Sequence, residues 1–388
     1  MTRVPLIVDA VRTPIGRNQG SLKGIHPVDL LGIVLGELLA RAGIDGHEVD
    51  DVVCGCVGQV GEQSVNIGRN AWLAAGLPQS VPAVTIDRQC GSSQQAVHFA
   101  AQGVIAGCHE LVVACGVESM SRVPIGTQTR GSGSPFSDSL RARYEMVPQG
   151  ISAELVAERW KLARAELDEV AVRSHELAGR ATDGGCFDRE VIPVKVQTEE
   201  GERLLEADEG IRVPDLARLA ALEPVFKEGG MITAGNSSQI SDGAAALLIA
   251  TPAKAEQLGL RPRALIHTMA VAADDPVLML TAPIPATRAV LTRASLSMDD
   301  IDLVEINEAF ASVVLAWKRE LGIDDRWYGE HVNVHGGAIA LGHPLGASGA
   351  RLMTTLVNAL ETRGGRYGLQ TMCEGGGQAN ATVIERLP

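Results

Sequence analysis

Positive charge is scarce. The chain of 388 residues sets 34 Lys and Arg against 47 Asp and Glu, a formal net charge of −13, which excludes broad electrostatic attraction to nucleic acid or anionic membranes. A small ligand is expected, and an anionic one would need a local cluster of cations or oriented backbone amides. Long apolar runs are missing too: the longest, at residues 30–39 and 244–250, fall far short of the roughly 20 residues that span a bilayer. Cysteine is sparse and odd in number, at positions 54, 56, 90, 108, 115, 186 and 373, which excludes a disulfide scaffold and fits free thiols in a reducing compartment. The opening MTRVPLIVDAVRTP has no apolar stretch leading to a small-residue cleavage site, and the closing ERLP is no address tag. A cytoplasmic protein is expected.

What is present suffices for a sizeable core, with 45% hydrophobic and 21% charged residues, and the length points to two or three domains. The order of elements repeats. A strand at 4–10, a helix with Leu30, Leu31, Val34, Leu35 and Leu38 at helical spacing, and a strand at 51–57 are matched by a strand at 264–270, a helix from Pro285 and a strand at 301–306. Strand 83–86, helix 91–105 and strand 111–115 are matched by strand 332–334, helix 347–360 and strand 369–373. Each half closes on a similar strand, 243–250 and 378–385. The pairs Pro27/Pro285 and Cys115/Cys373 share one offset, 285 − 27 = 373 − 115 = 258. Two α/β halves packed across a pseudo-two-fold axis are predicted. The segment between them carries predicted helices at 151–163 and 167–178 and a polar connection at 198–203, and reads as an insertion.

Four places carry chemistry. Cys90 follows a strand and opens a helix, where free amides and the helix dipole are expected to lower a thiol pKa. A lone free Cys is more often core packing, but Gly91, Ser92 and Ser93 weigh against that. His343 lies in the glycine-rich run 333–349 just before the matching helix, a suitable place for a proton-moving imidazole. Cys373 precedes Glu374-Gly-Gly-Gly377, whose amides could serve as an oxyanion hole. Asn307 ends strand 301–306, where its amide could hold a water or polarise a carbonyl. Taken singly, Cys373 reads as packing and Asn307 as a helix cap.

These residues stand in motifs that resemble the thiolases along essentially the whole chain: Val8–Gly16, Gln89-Cys-Gly-Ser-Ser93, Gly116-Val-Glu-Ser-Met-Ser121, Asn307-Glu-Ala-Phe310, Gly336–Pro344 and Cys373-Glu-Gly-Gly-Gly377. The resemblance implies a duplicated fold, two βαβαβαββ halves in α/β/α/β/α layers. Residues 1–120 and 232–252 would form the N-terminal half, 121–231 an inserted loop domain and 253–388 the C-terminal half. It implies thiolytic cleavage of a 3-ketoacyl-CoA, reversible as a Claisen condensation, with coenzyme A or acyl-CoA as substrate and no permanently bound cofactor or metal. Cys90 would be acylated, His343 would take its proton, and Cys373 would protonate or deprotonate the acetyl-CoA carbon. Asn307 would hold a water that binds the enolate oxygen together with His343, and the amides of Cys90 and Gly375 would bind the other oxyanion. Ser238 would contact the pantetheine arm and Arg212 a CoA phosphate, while a solvated surface Arg remains an equal reading of Arg212. A homodimer or homotetramer is implied.

The chain departs from the family pattern at His335, at Glu374 and at Asp87-Arg88-Gln89. The loop Tyr144–Gly150 also lacks the His-Met pair that acetoacetyl-CoA thiolases place near a short acyl group. A medium-chain or bulky 3-ketoacyl group, including one bearing a steroid ring, is therefore expected, with an acetoacetyl-CoA-forming acetyltransferase as the alternative. A malonyl-dependent condensing enzyme lacks a second cysteine such as Cys373. A non-catalytic lipid carrier would have lost Cys90 or His343.

Overall fold

The computed structural model describes residues 3–131, 133–199 and 201–388. Aliphatic residues run almost unbroken through Leu111–Ser119 and Ser241–Ala250, and every residue of both is buried, as befits strands covered on both faces. Alternation divides them between two cores: Ala244, Ala246 and Leu248 face one, Ala245, Leu247 and Ile249 the other.

The first-half strands lie in the order Ala83–Ile86, Asp51–Gly55, Leu111–Ser119, Ser241–Ala250 and Leu6–Arg12. Their successive pairings are parallel, parallel, antiparallel and antiparallel. In the second half Leu303–Ile306, Tyr367–Glu374, Gln378–Arg386 and Ala264–Ala273 repeat the last three of these pairings. The halves join at a corner where Leu6 pairs with Leu265 and Ile7 with Ala264. Helices Ser92–Ala106 and Ser348–Arg363 lie between the two sheets and share one core with both. Helix Pro27–Ala42 covers the outer face of the first sheet, and Pro283–Ala294 with Ala311–Glu320 that of the second. The predicted five layers are thus observed. No helix among the described residues is long and apolar enough to cross a membrane.

Two expectations fail locally. Residues 332–334 make only isolated bridges, Val332 to Val304 and Val334 to Gly336, because Asn333 turns to a left-handed φ of 46°. Its side chain takes over the work of a strand backbone: Oδ1 accepts from Ile306 N at 2.9 Å and Nδ2 donates to Ile306 O at 2.9 Å. Of the supposed connection at 198–203, residues 198 and 201–203 belong instead to two paired antiparallel strands, Val194–Thr198 with Gly201–Leu205, while residue 200 lies outside the described residues. Val194, Val196 and Leu205 anchor the pair in the outer core of the first sheet.

The helices of the intervening segment are Gln149–Arg159 and Arg164–Asp183. A buried ion cluster ties this segment to both halves. Arg12, on the first strand, donates to Glu190 at 2.7 Å and to Asp208 at 2.7 and 3.0 Å, and Glu190 also accepts from Thr355 of the second central helix at 3.0 Å.

Candidate active site

The two central helices begin side by side. Ser93 Oγ on the first accepts from Ala350 N on the second at 2.8 Å. A Cβ on Gly349 would fall 2.1 Å from Gln94 N, so only glycine permits this approach. Cys90 directly precedes Gly91, the N-cap of the first helix. His343 stands in the loop before the second, its N–H held by Gln239 O at 3.1 Å and Ser241 Oγ at 3.2 Å. Glu118 clamps that loop to the first half by accepting from Gly346 N at 2.8 Å and from Val57 N and Gly58 N at 2.9 Å each.

Hydrogen bonding fixes the state of the imidazole. Ser348 Oγ has one proton and gives it to Pro344 O at 2.8 Å, since a carbonyl can only accept. The 2.5 Å contact between Ser348 Oγ and His343 Nδ1 is therefore donated by Nδ1–H. Asn307 Nδ2 donates to His343 Nε2 at 3.3 Å. Nε2 thus carries the lone pair, and burial together with Arg351 lowers the His343 pKa to about 3. The ring is neutral, with its lone pair on the side that faces Asn307. Asn307 Oδ1 is buried without a partner, an acceptor left over for a water or ligand.

The thiols do not behave as the helix dipole alone would have them. Burial, and next the carboxyl of Glu374, push the Cys90 thiol up to about 12, although a hydrogen bond with the Gln149 side chain pulls it back. The expected lowering is overturned: Cys90 rests as a thiol and needs a base. Cys373 is likewise pushed well above the ordinary thiol range by burial, then by Cys90 and Glu374. The two sulfurs are close enough to feel one another.

A cleft of about 580 Å³ opens over this floor. Its lining includes His343, Ser238 and Arg212 among the residues expected from sequence, and Leu345, which also packs on the buried cluster that holds Cys90. Cys373 belongs to the same core cluster as Ala309 and Phe310, which line the cleft. Gly375 sits in the turn against the Gln89 side chain, with 2.9 Å between a would-be Cβ and Gln89 Oε1, so turn and nucleophile loop touch. Ser238 N donates to Ala309 O at 3.0 Å. Arg212 stands where this cleft meets a second one lined by His175, Asp215 and Arg218. His335 is buried edge-on to Phe187, ring centroids 5.8 Å apart, in packing contact and not in the cleft lining.

The sequence points to neither the contact of Ser348 with His343 nor that of Gln149 with Cys90. Ser348 was legible in principle, as a hydroxyl in the first turn of the helix five positions after His343.

The descriptions "Thiolase, N-terminal domain" and "Thiolase, C-terminal domain" match residues 5–253 and 260–386. A steroid 3-ketoacyl-CoA thiolase, FadA6, of Mycobacterium tuberculosis is 51% identical over 390 residues, covering 98% of this chain and 94% of the relative. A beta-ketoadipyl-CoA thiolase of Pseudomonas aeruginosa is 44% identical, with 100% of each chain covered. Among solved structures, the Bacillus anthracis acetyl-CoA acetyltransferase superposes with a TM-score of 0.91 at 39% identity, covering 100% of this chain and 99% of that one. Human mitochondrial 3-ketoacyl-CoA thiolase gives 0.89 at 37%, with full coverage of both. The chain belongs to the thiolase family, acyltransferases that cleave 3-ketoacyl-CoA with coenzyme A and no permanent cofactor.

Proposed function

We propose that this thiolase cleaves a bulky or medium-chain 3-ketoacyl-CoA, with Cys90 as nucleophile and His343 Nε2 as its base. The neutral imidazole takes the thiol proton while sulfur attacks the 3-keto carbon. The bond between C2 and C3 then breaks, and Cys373 gives its proton to the departing acetyl-CoA carbon. Free coenzyme A then attacks the acyl-enzyme, its thiol proton passing to the thiolate left on Cys373, and His343 returns its proton to the sulfur of Cys90 as the acyl group leaves. Asn307, through its unpartnered Oδ1, and His343 serve the enolate oxygen by way of a water, and the amides of Cys90 and Gly375 serve the other oxyanion. Ser238 and Arg212 hold the pantetheine arm and a phosphate of the entering CoA. We assign residues 1–120 with 232–252, 121–231 and 253–388 as the three units, a division supported by the repeated strand pairing.

The observation that carries the substrate reading is the wall of the cleft. Pro148 and Gln149 stand where a His-Met pair would close on a short chain, and Met120, Ile125, Phe226 and Ile240 extend an apolar lining beyond them. Each extra methylene buried there is worth about 0.8 kcal/mol. The two relatives above are named for a steroid 3-ketoacyl-CoA and for beta-ketoadipyl-CoA, whose acyl groups are both larger than acetoacetyl. Thiolysis kcat/KM for acetoacetyl-CoA, a medium-chain 3-ketoacyl-CoA and a steroid-side-chain 3-ketoacyl-CoA under one condition tests this. The larger substrates should lead; a clear lead for acetoacetyl-CoA returns the protein to the acetyltransferase reading.

We also assign a cytoplasmic homo-oligomer. Strand Ala83–Ile86 is the free edge of the first sheet, with Val84 exposed beside it, and leads straight into Cys90. Pairing with a second copy would cover an edge that is otherwise an aggregation hazard.

A further inference from the structure

Glu374 is a carboxyl that the reaction as described leaves unused, in a place where a carboxyl is costly. It ends strand Tyr367–Glu374, is fully buried, and neither of its oxygens has a hydrogen-bond partner. Met372, two residues earlier and so on the same strand face, shares a small buried cluster with Cys90 and Leu352. A Cβ on Gly91 would fall 1.8 Å from Glu374 Oε1. The carboxyl therefore lies directly on the N-terminus of the helix that Cys90 precedes.

The groups that face it are Asp87 and Arg88 from the loop ahead of that helix, Cys90 at the helix start, Cys373 on its own strand and the Asn380 backbone on the neighbouring strand. Arg88 spends a hydrogen bond on Gln378, at 2.9 Å. Burial raises Glu374 to about 8, with Arg88 and Asn380 pulling the other way. At neutral pH the side chain is thus an uncharged acid. Two acids in one dry space compete for the positive end of one helix, and their protons come off as a coupled pair.

We propose that Glu374 is a positioning residue for the nucleophile: as a neutral acid against Gly91 it permits the Cys90 thiolate, and on losing its proton it suppresses that thiolate. The proposal rests on Cys90 being the nucleophile. Its consequence is a ceiling on Cys90 reactivity in mild alkali. Below the titration of Glu374 the thiolate fraction grows about tenfold per pH unit. Above it, each gain is offset by ionisation of the neighbour.

The test is the rate of Cys90 alkylation by iodoacetamide, resolved by peptide mass spectrometry, from about pH 6.5 to about 9.5, with thiolysis kcat/KM on the same samples. In the wild type the logarithm of the alkylation rate should rise with unit slope and flatten near pH 8, the value toward which Glu374 is raised. Glu374→Gln should keep rising and exceed the wild type by about tenfold one pH unit above the break. Glu374→Asp should restore a break. A glutamine variant that flattens at the wild-type pH overturns the proposal. Should Glu374→Gln fail to fold, the wild type and Glu374→Asp decide: a wild-type profile straight through the range also overturns it. Failure of the nucleophile reading is seen separately, as thiolysis that survives Cys90→Ala.

Discussion

Ser348→Ala probes the catalytic base without touching a reacting group. The substitution removes the acceptor of His343 Nδ1–H, a 2.5 Å contact inside a fully buried first helical turn. The imidazole then has no group that fixes its proton on Nδ1, and its N–H is left unsatisfied in a dry site. Such a loss costs about 1–3 kcal/mol. At about 1.36 kcal/mol per decade this predicts a fall of roughly 5- to 150-fold in kcat/KM for thiolysis. The same fall should appear in the single-turnover rate of Cys90 acylation, since His343 acts in that step, while KM for coenzyme A changes little. Ser348→Thr, which keeps the hydroxyl, should recover much of the rate. A folded Ser348→Ala enzyme with wild-type kcat/KM would refute the assignment of Nε2 as the base.

Cys373→Ala should still form an acyl adduct on Cys90 but should lose exchange of the acetyl-CoA α-proton with solvent deuterium, followed by NMR; ordinary exchange would remove Cys373 from the base role. Glu374→Gln should be more stable than the wild type at mild alkaline pH. The folded carboxyl is raised from 4.5 to about 8, so its contribution is present below the unfolded value and lost as pH rises toward 8, which leaves the wild type behind by on the order of 4–5 kcal/mol at the plateau. Denaturant melts at several pH values should show that gap opening, and a gap independent of pH would contradict it. Gly91→Ala places a methyl 1.8 Å from Glu374 Oε1 and should cost about 1–3 kcal/mol; Glu374→Ala in the same chain should return much of the loss, and additive costs would show that the two do not touch.

Much of this was legible in the chain. The 258-residue offset and the continuous aliphatic runs announced two similar sheets, because fully covered strands leave an unmistakable pattern. Residues 332–334 misled for a physical reason: Asn333 bonds Ile306 with its side chain, which no hydrophobic pattern reports. The strand pair 194–198 and 201–205 hid because its second strand, Gly-Glu-Arg-Leu-Leu, exposes four of five residues. At the site, local sequence put Cys90 at a helix start and so implied an activated thiol. The opposing effect comes from burial and from Glu374, 284 positions away (374 − 90), and distance along the chain conceals such a neighbour. Ser348 needed the loop conformation to be seen folding back on His343.

The division of labour between the two thiols is tested most directly by mixing the enzyme with acetyl-CoA and locating the adduct by peptide-resolved mass spectrometry, in the wild type and in Cys90→Ala. One acetyl group on the peptide that contains Cys90, and none anywhere in Cys90→Ala, is the predicted result. An acetyl group carried by Cys373, or an adduct that persists in Cys90→Ala with thiolysis intact, would contradict the account.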